Sequence, residues 1–187
     1  MLLALTLRAA LSAMVMITAR QAEAAFSEKT VFVSGRTTGK GVNNPTGDSE
    51  IFRMNLNGTG VKQPNFNQVR DSKPVLSPDG QKISYLSEGI QTSNPQGDAE
   101  VYVMNALDGT GSIYLSNKGG KVEDSFADFS PDGQKIAYIS SGAQTSNPED
   151  DREVYSINIL DRLGKKNLTN NGDGVFDDSP EWGVQAF

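Results

Sequence analysis

The chain has 187 residues, 36% hydrophobic and 21% charged, with a formal net charge of -6 and neither cysteine nor histidine. Those absences exclude disulfides, a Ser-His-Asp or Cys-His catalytic device, and a zinc site built on His or Cys ligands. The acidic balance argues against a nucleic-acid partner, which calls for a basic patch.

Residues 1–24 read as a signal peptide. Arg8 precedes an apolar run over 9–19, and Ala22-Glu23-Ala24 offers the small-x-small cleavage pattern. The run is shorter than the roughly 20 residues of a membrane-spanning helix, so no span is expected and the product is periplasmic or secreted. Residues 25–187 then form the mature domain.

From Lys29 onward the pattern is short strands between turns. Strands are expected at 30–34 and 50–55, with the hairpin signal Asn57-Gly58 next and a third strand within 61–66. Further strands are expected at 73–77, 83–87, 100–105 and 112–116. Ser77-Pro78-Asp79-Gly80 makes the first turn among these, with Pro at the first central position and Gly at the positive φ. Residues 126–169 repeat this order, and a closing strand falls within 177–183.

Ser77-Pro78-Asp79-Gly80-Gln81-Lys82-Ile83 recurs letter for letter at 130–136, a spacing of 53 residues. Asp71, Asp124 and Asp177 keep that spacing, as do Tyr85 with Tyr138, Glu100 with Glu153, and Tyr102 with Tyr155. The repeats run over about 30–70, 71–123 and 124–176. In Val101-Tyr102-Val103-Met104 every position is apolar, so both strand faces are expected to be covered. A two-sheet sandwich would bury such strands without explaining the period. Stacked blades explain both, and the fold class is all-β: a β-propeller of four-stranded antiparallel blades, three blades' worth per chain.

The segments Pro74 to Tyr85 and Asp98 to Gly111, with Leu168-Thr169-Asn170-Asn171 and Asp178-Ser179-Pro180-Glu181-Trp182-Gly183, resemble the TolB-type propeller repeat. The resemblance covers nearly all of the mature chain. It implies four-stranded blades in an exported bacterial-type protein with a binding role. The α/β domain that precedes the propeller in that family has no counterpart in this sequence. No functional residue is carried over from it.

With strands labelled a to d from the axis outward, the chain begins with b, c and d, runs through two full sets and ends on a lone a strand. Three blades fall below the usual range of roughly 4 to 8. A head-to-tail homodimer is therefore expected, in which the closing strand of one copy completes the first blade of the other and a six-bladed ring forms.

The b–c and d–a loops share one rim, and long loops on a rigid scaffold are where binding resides. The candidate binding residues there are Asn94, Asp98, Glu100, Asn147, Asp151, Glu153, Asp48 and Glu50. Repeated Asp-x-Glu would suit calcium, yet no EF-hand spacing is present, and no metal or cofactor is assigned. A structural reading competes: the strand-c Glu would pair with a neighbouring blade or cap loop amides, and Asp71, Asp124 and Asp177 would fix the d–a loops. No catalytic motif stands out, and a catalytic pair should be singular where these carboxylates repeat. The expected function is a non-enzymatic binding module for a protein or a glycan. The alternative is a carbohydrate-active enzyme or accessory module using rim carboxylates.

Overall fold

The computed structural model describes residues 29–116, 122–142, 145–172 and 174–183, and the expected signal peptide lies outside the described residues. No helix occurs among them. β1 (Lys29–Ser34) and β2 (Glu50–Asn55) form a two-stranded sheet. β3 (Arg70–Leu76), β4 (Lys82–Glu88), β5 (Ala99–Asn105) and β6 (Ile113–Tyr114) form a four-stranded sheet in chain order. β7 (Asp124–Phe129), β8 (Lys135–Ser140), β9 (Glu153–Asn158) and β10 (Lys166–Asn167) form another. Every pairing is antiparallel.

The turn sequences set the register. Ser77 O accepts the Gly80 N–H at 2.8 Å, with Gly80 at φ 69°, while Asp79 Oδ1 accepts the Gln81 N–H at 3.0 Å and the Ser77 hydroxyl at 2.6 Å. Gly takes the left-handed conformation at little cost, and the Asp fixes the turn from within. Leu76 is thereby placed opposite Ile83, and the copy built on Gly133 (φ 68°) places Phe129 opposite Ile136.

Apolar residues on both strand faces are used because the sheets stack. Ile83, Tyr85, Tyr102 and Met104 pack with Ile51 and Val31 of the first sheet. Leu86, Val101 and Val103 point the other way, onto Phe129, Ile136, Tyr138 and Tyr155 of the third. Period-2 alternation therefore sorts β4 and β5 between two cores rather than between core and water. Each sheet carries an aromatic pair at the same register position: Phe32–Phe52, Tyr85–Tyr102 and Tyr138–Tyr155, with ring centroids 5.6, 5.6 and 6.0 Å apart.

The outer strands are shorter than the sequence suggests. Instead of a strand within 61–66 there is one bridge, Arg53 with Lys62, and the strand expected at 112–116 is reduced to β6. Side chains take over the missing rungs. The N–H groups of Ile51, Val101 and Val154 donate to Asn65 Oδ1, Ser116 Oγ and Thr169 Oγ1 at 2.9, 2.9 and 3.0 Å. A side-chain acceptor frees the backbone from strand geometry.

The inner strands differ too. β3 begins at Arg70 rather than 73 and bulges between Ser72 and Val75, while β7 bulges between Ser125 and Asp128. Lys73, Phe126 and Ser179 occupy one repeat position and all have positive φ, at 47°, 49° and 50°. Pro74 lacks the N–H a straight ladder would use, which suits a bulge. Residues 177–183 form no strand, in contrast to the expected closing strand.

Candidate functional site

Each b–c loop closes around an asparagine. Asn44, Asn94 and Asn147 donate from Nδ2 to the carbonyls of Asp48, Asp98 and Asp151, at 2.7 Å in all three. In the first two loops the asparagine Oδ1 also accepts an N–H, from Gly47 at 3.0 Å and Gly97 at 3.1 Å. These side-chain bonds imitate a backbone turn, and the prolines that follow suit it. Two loops are also pinned to their own sheet: Ser93 bonds the Tyr102 hydroxyl at 2.9 Å and Ser146 the Tyr155 hydroxyl at 3.1 Å.

Beneath each loop, the Glu that begins strand c turns inward. Glu50, Glu100 and Glu153 are 0%, 0% and 1% exposed. Glu50 Oε1 accepts the Asn67 N–H at 3.1 Å, and Glu153 Oε1 accepts the Asn171 N–H at 3.1 Å. Glu100 accepts the hydroxyl of Tyr114 at 3.1 Å and that of Ser116. Thr169 donates to Glu153 in the same way. The Glu thus holds the outer end of its own sheet to the connection leading into the next.

The partner across that connection is an Asp on the next inner strand. Asp71 is fully buried, interacts electrostatically with Glu50, and accepts the side-chain amides of Asn65 and of Asn67, the latter at 2.7 Å. Asp124 is fully buried beside Glu100, close enough for the two carboxyl groups to raise one another's proton affinity. Asn171 Nδ2 donates to Asp177 at 3.0 Å in the third copy. The Asp side chains are backed by serines of the adjoining strand, with Ser87 opposite Asp71 and Ser140 opposite Asp124.

Two carboxyl groups out of water and in contact cannot both ionise. Burial, with the Asp71 charge adding to it, pushes Glu50 up to about 8. Burial, then the hydrogen bond to Asp124 and its charge, pushes Glu100 up to about 9. Burial raises Asp71 to about 6 and raises Asp124 as well, against the pull of the hydrogen bonds they accept. Glu50 with Asp71 and Glu100 with Asp124 are therefore expected to retain a proton at neutral pH, which would let one carboxyl donate to the other.

Among the eight residues the sequence singles out, Asn94, Asn147, Asp151 and the three glutamates are buried, and Asp48 and Asp98 are half-buried. The structure gathers them in three separate loop bases, one per sheet, rather than at a single centre. Sequence reasoning assigned no site role to Asp71, Asp124, Ser87, Ser116 or Thr169. The signal was present for the aspartates, which share the glutamates' period. Among the described residues, no group of three or more Asp or Glu side chains is arranged to hold a metal ion.

No family model and no curated protein matches the sequence. Solved structures do match. TolB from Acinetobacter baumannii aligns with a TM-score of 0.53 at 20% identity, over 78% of this chain and 31% of that one. A putative TolB from Agrobacterium tumefaciens gives 0.53 at 16%, over 75% and 44%. Oligogalacturonate lyase from Vibrio parahaemolyticus gives 0.51 at 16%, over 75% and 38%. The chain spans less than half the length of each, and at these identities the likeness establishes the fold. It is a propeller fold of the TolB type, and its stacked sheets are blades.

Proposed function

We propose that the chain is a non-enzymatic, exported propeller module that binds a protein partner through the rim formed by its b–c and d–a loops. The observation that carries this reading is the surface of that rim. Phe66 and Phe176 on the d–a connections are 55% and 69% exposed, and Ile90 on a b–c loop is 76% exposed. Aromatic side chains held out on pinned loops make interface anchors, because little freedom remains to be lost on binding. The opposite rim exposes Leu56, Leu107 and Leu160 but no aromatic residue on its turns. In this reading the eight loop-base residues act by fixing the shape of the rim. Their burial weighs against the carbohydrate-active alternative, which needs carboxylates presented to a glycan.

The test compares the full chain with two double variants as baits for envelope extract. Phe66→Ser with Phe176→Ser is expected to weaken a retained protein by about 30-fold or more, since anchor residues carry 2 kcal/mol or more each. Leu56→Ser with Leu107→Ser is expected to leave it. Loss with the leucine pair alone, or retention of a glycan in place of a protein, would overturn the assignment.

The homodimer belongs to the same proposal. Among the described residues, the inner edge of β1 has no partner strand in its two-stranded sheet. Residues 177–183 begin as the inner strands do: the Asp177 N–H bonds Arg152 O at 3.0 Å as the Asp71 N–H bonds Ser49 O at 2.7 Å, and Ser179 shares the φ of Lys73 and Phe126. A second copy's 177–183 segment on the β1 edge satisfies both by strand addition. Light scattering behind size exclusion is expected to give twice the chain mass at micromolar concentration. A stable monomer there contradicts it.

A further inference from the structure

The first b–c loop differs from the other two. The interval from Ser34 to Glu50 is three residues longer than those from Ser87 to Glu100 and from Ser140 to Glu153, and it contains Arg36, Gly39, Lys40 and Gly41. The longer loop folds beside the segment after β2. Asn43 N–H donates to Gln63 Oε1 at 2.9 Å and Gln63 Nε2 returns a bond to Asn43 O at 3.3 Å, with Gln63 buried. Between loop and segment lies a cleft of about 510 Å³ lined by Arg36, Lys40, Val42, Val61, Lys62 and three glycines.

The lining holds three cations and no acidic group. Among the described residues none of the three makes an ion pair, in a chain whose net charge is -6. Arg36 is not a loose surface arginine. Its guanidinium lies 5.2 and 5.0 Å from the Phe32 and Phe52 ring centroids, and its Nε donates to Ser34 Oγ at 3.1 Å. Stacking on two rings fixes the plane of the fork and leaves its other donors for an acceptor. Gly39, Gly41 and Gly60, with φ 134°, 77° and 66°, line the cleft with main chain, and at Gly41 nothing lies within 4 Å of where a side chain would begin. A volume of this size suits a small molecule.

We propose that this cleft binds a small ligand through a carboxylate or phosphate group, held by the guanidinium of Arg36 and the ammonium groups of Lys40 and Lys62. The oxyanion supplies the charge that the three cations lack, and Val42 and Val61 give its carbon frame an apolar wall. The site lies on the outer margin of the first blade, on a b–c loop that also belongs to the proposed rim, and its lining includes none of Phe66, Ile90 and Phe176.

The test is amide-resolved NMR titration of the full chain with sodium glucuronate and with sodium phosphate, using sodium chloride at matched ionic strength as control. Saturable shifts at Arg36, Gly39, Gly41 and Lys62 are expected, with a dissociation constant below about 10 mM. Lys40→Gln with Lys62→Gln is expected to weaken binding about tenfold with an unchanged melting temperature, since each change removes one exposed contact between an ammonium group and the bound anion. Tighter glucuronate points to a carboxylate ligand; phosphate binding that strengthens as its second proton leaves points to a phosphate ligand. No saturable shift with either probe, shifts that sodium chloride reproduces, or binding unaltered in the double variant would overturn the proposal.

Discussion

Glu100→Ala is expected to cost about 1–3 kcal/mol of stability for each buried hydrogen-bonding group it leaves unpaired. The side chain is fully buried, takes the hydroxyls of Tyr114 and Ser116, and shares a proton with Asp124 of the next blade. Alanine leaves Asp124 without its proton donor, in a place where water cannot replace it. It also orphans Ser116, whose hydroxyl takes the Val101 N–H in place of an outer-strand carbonyl. The damage should therefore spread to β5, β6 and the joint between the second and third blades. Glu100→Gln keeps the shape and a donor toward Asp124, so a loss below about 1 kcal/mol is expected. Urea midpoints of the two variants decide this, and equal losses for alanine and glutamine would show that only side-chain volume matters at that joint.

The second large effect is on the pH dependence of stability. Glu50 and Glu100 are held near 8 and 9 where the ordinary value is 4.5, and Asp71 near 6 where it is 3.8. The folded chain thus keeps protons that the unfolded chain releases, and stability falls with pH wherever that holds. The contribution is complete below about pH 4, declines from there upward, and is gone once the pH has passed the folded values near 8 and 9. Asp108 and Asp132, held low first by the hydroxyls of Thr110 and Ser130, act in the opposite sense and are lost in acid. Greatest stability is accordingly expected near pH 5. Each retained proton corresponds to about 1.4 kcal/mol per pH unit and each of the two pairs retains one over roughly three units, so a loss of several kcal/mol is expected between pH 5 and pH 8.5. Glu50→Gln with Glu100→Gln should flatten that slope. A stability curve rising from pH 5 to 8, as for a protein dominated by ionised ion pairs, would contradict the assignment.

Both effects bear on function through geometry. The b–c loop begins to return at the Glu, and the d–a connection ends at the Asp, so one proton-sharing pair sets the rim at both its loops. If the rim binds as proposed, loosening a pair should weaken that binding without touching any rim contact.

The sequence shows its blades plainly because the turn chemistry and the aromatic pairs are local. Ser-Pro-Asp-Gly dictates its own hairpin, and Tyr85 with Tyr102 or Tyr138 with Tyr155 follow from the register it sets. The outer strands were overextended because Asn65, Ser116 and Thr169 read as strand or loop residues while acting as acceptors for the neighbouring strand. The inner-strand bulges were hidden because Phe126, a residue that rarely takes positive φ, stands at the same position as Lys73 and Ser179. The site was half legible. The glutamates stood out by their period, but their burial depends on a contact with an Asp more than 20 residues away, across a blade boundary that no local pattern reports. Arg36, Lys40 and Lys62 were passed over because only the folding of one loop beside residues 60–63 brings them together.

The most direct test of the shared proton is a carbon-detected NMR titration of the glutamate side-chain carboxyl groups in the full chain. Glu50 and Glu100 are expected to remain protonated through neutral pH and to titrate near 8 and 9. Carboxyl shifts for Glu50 and Glu100 that complete their change in acid, near the ordinary glutamate value, would show ionised, hydrated side chains, and the proton-sharing joint between blades would be wrong.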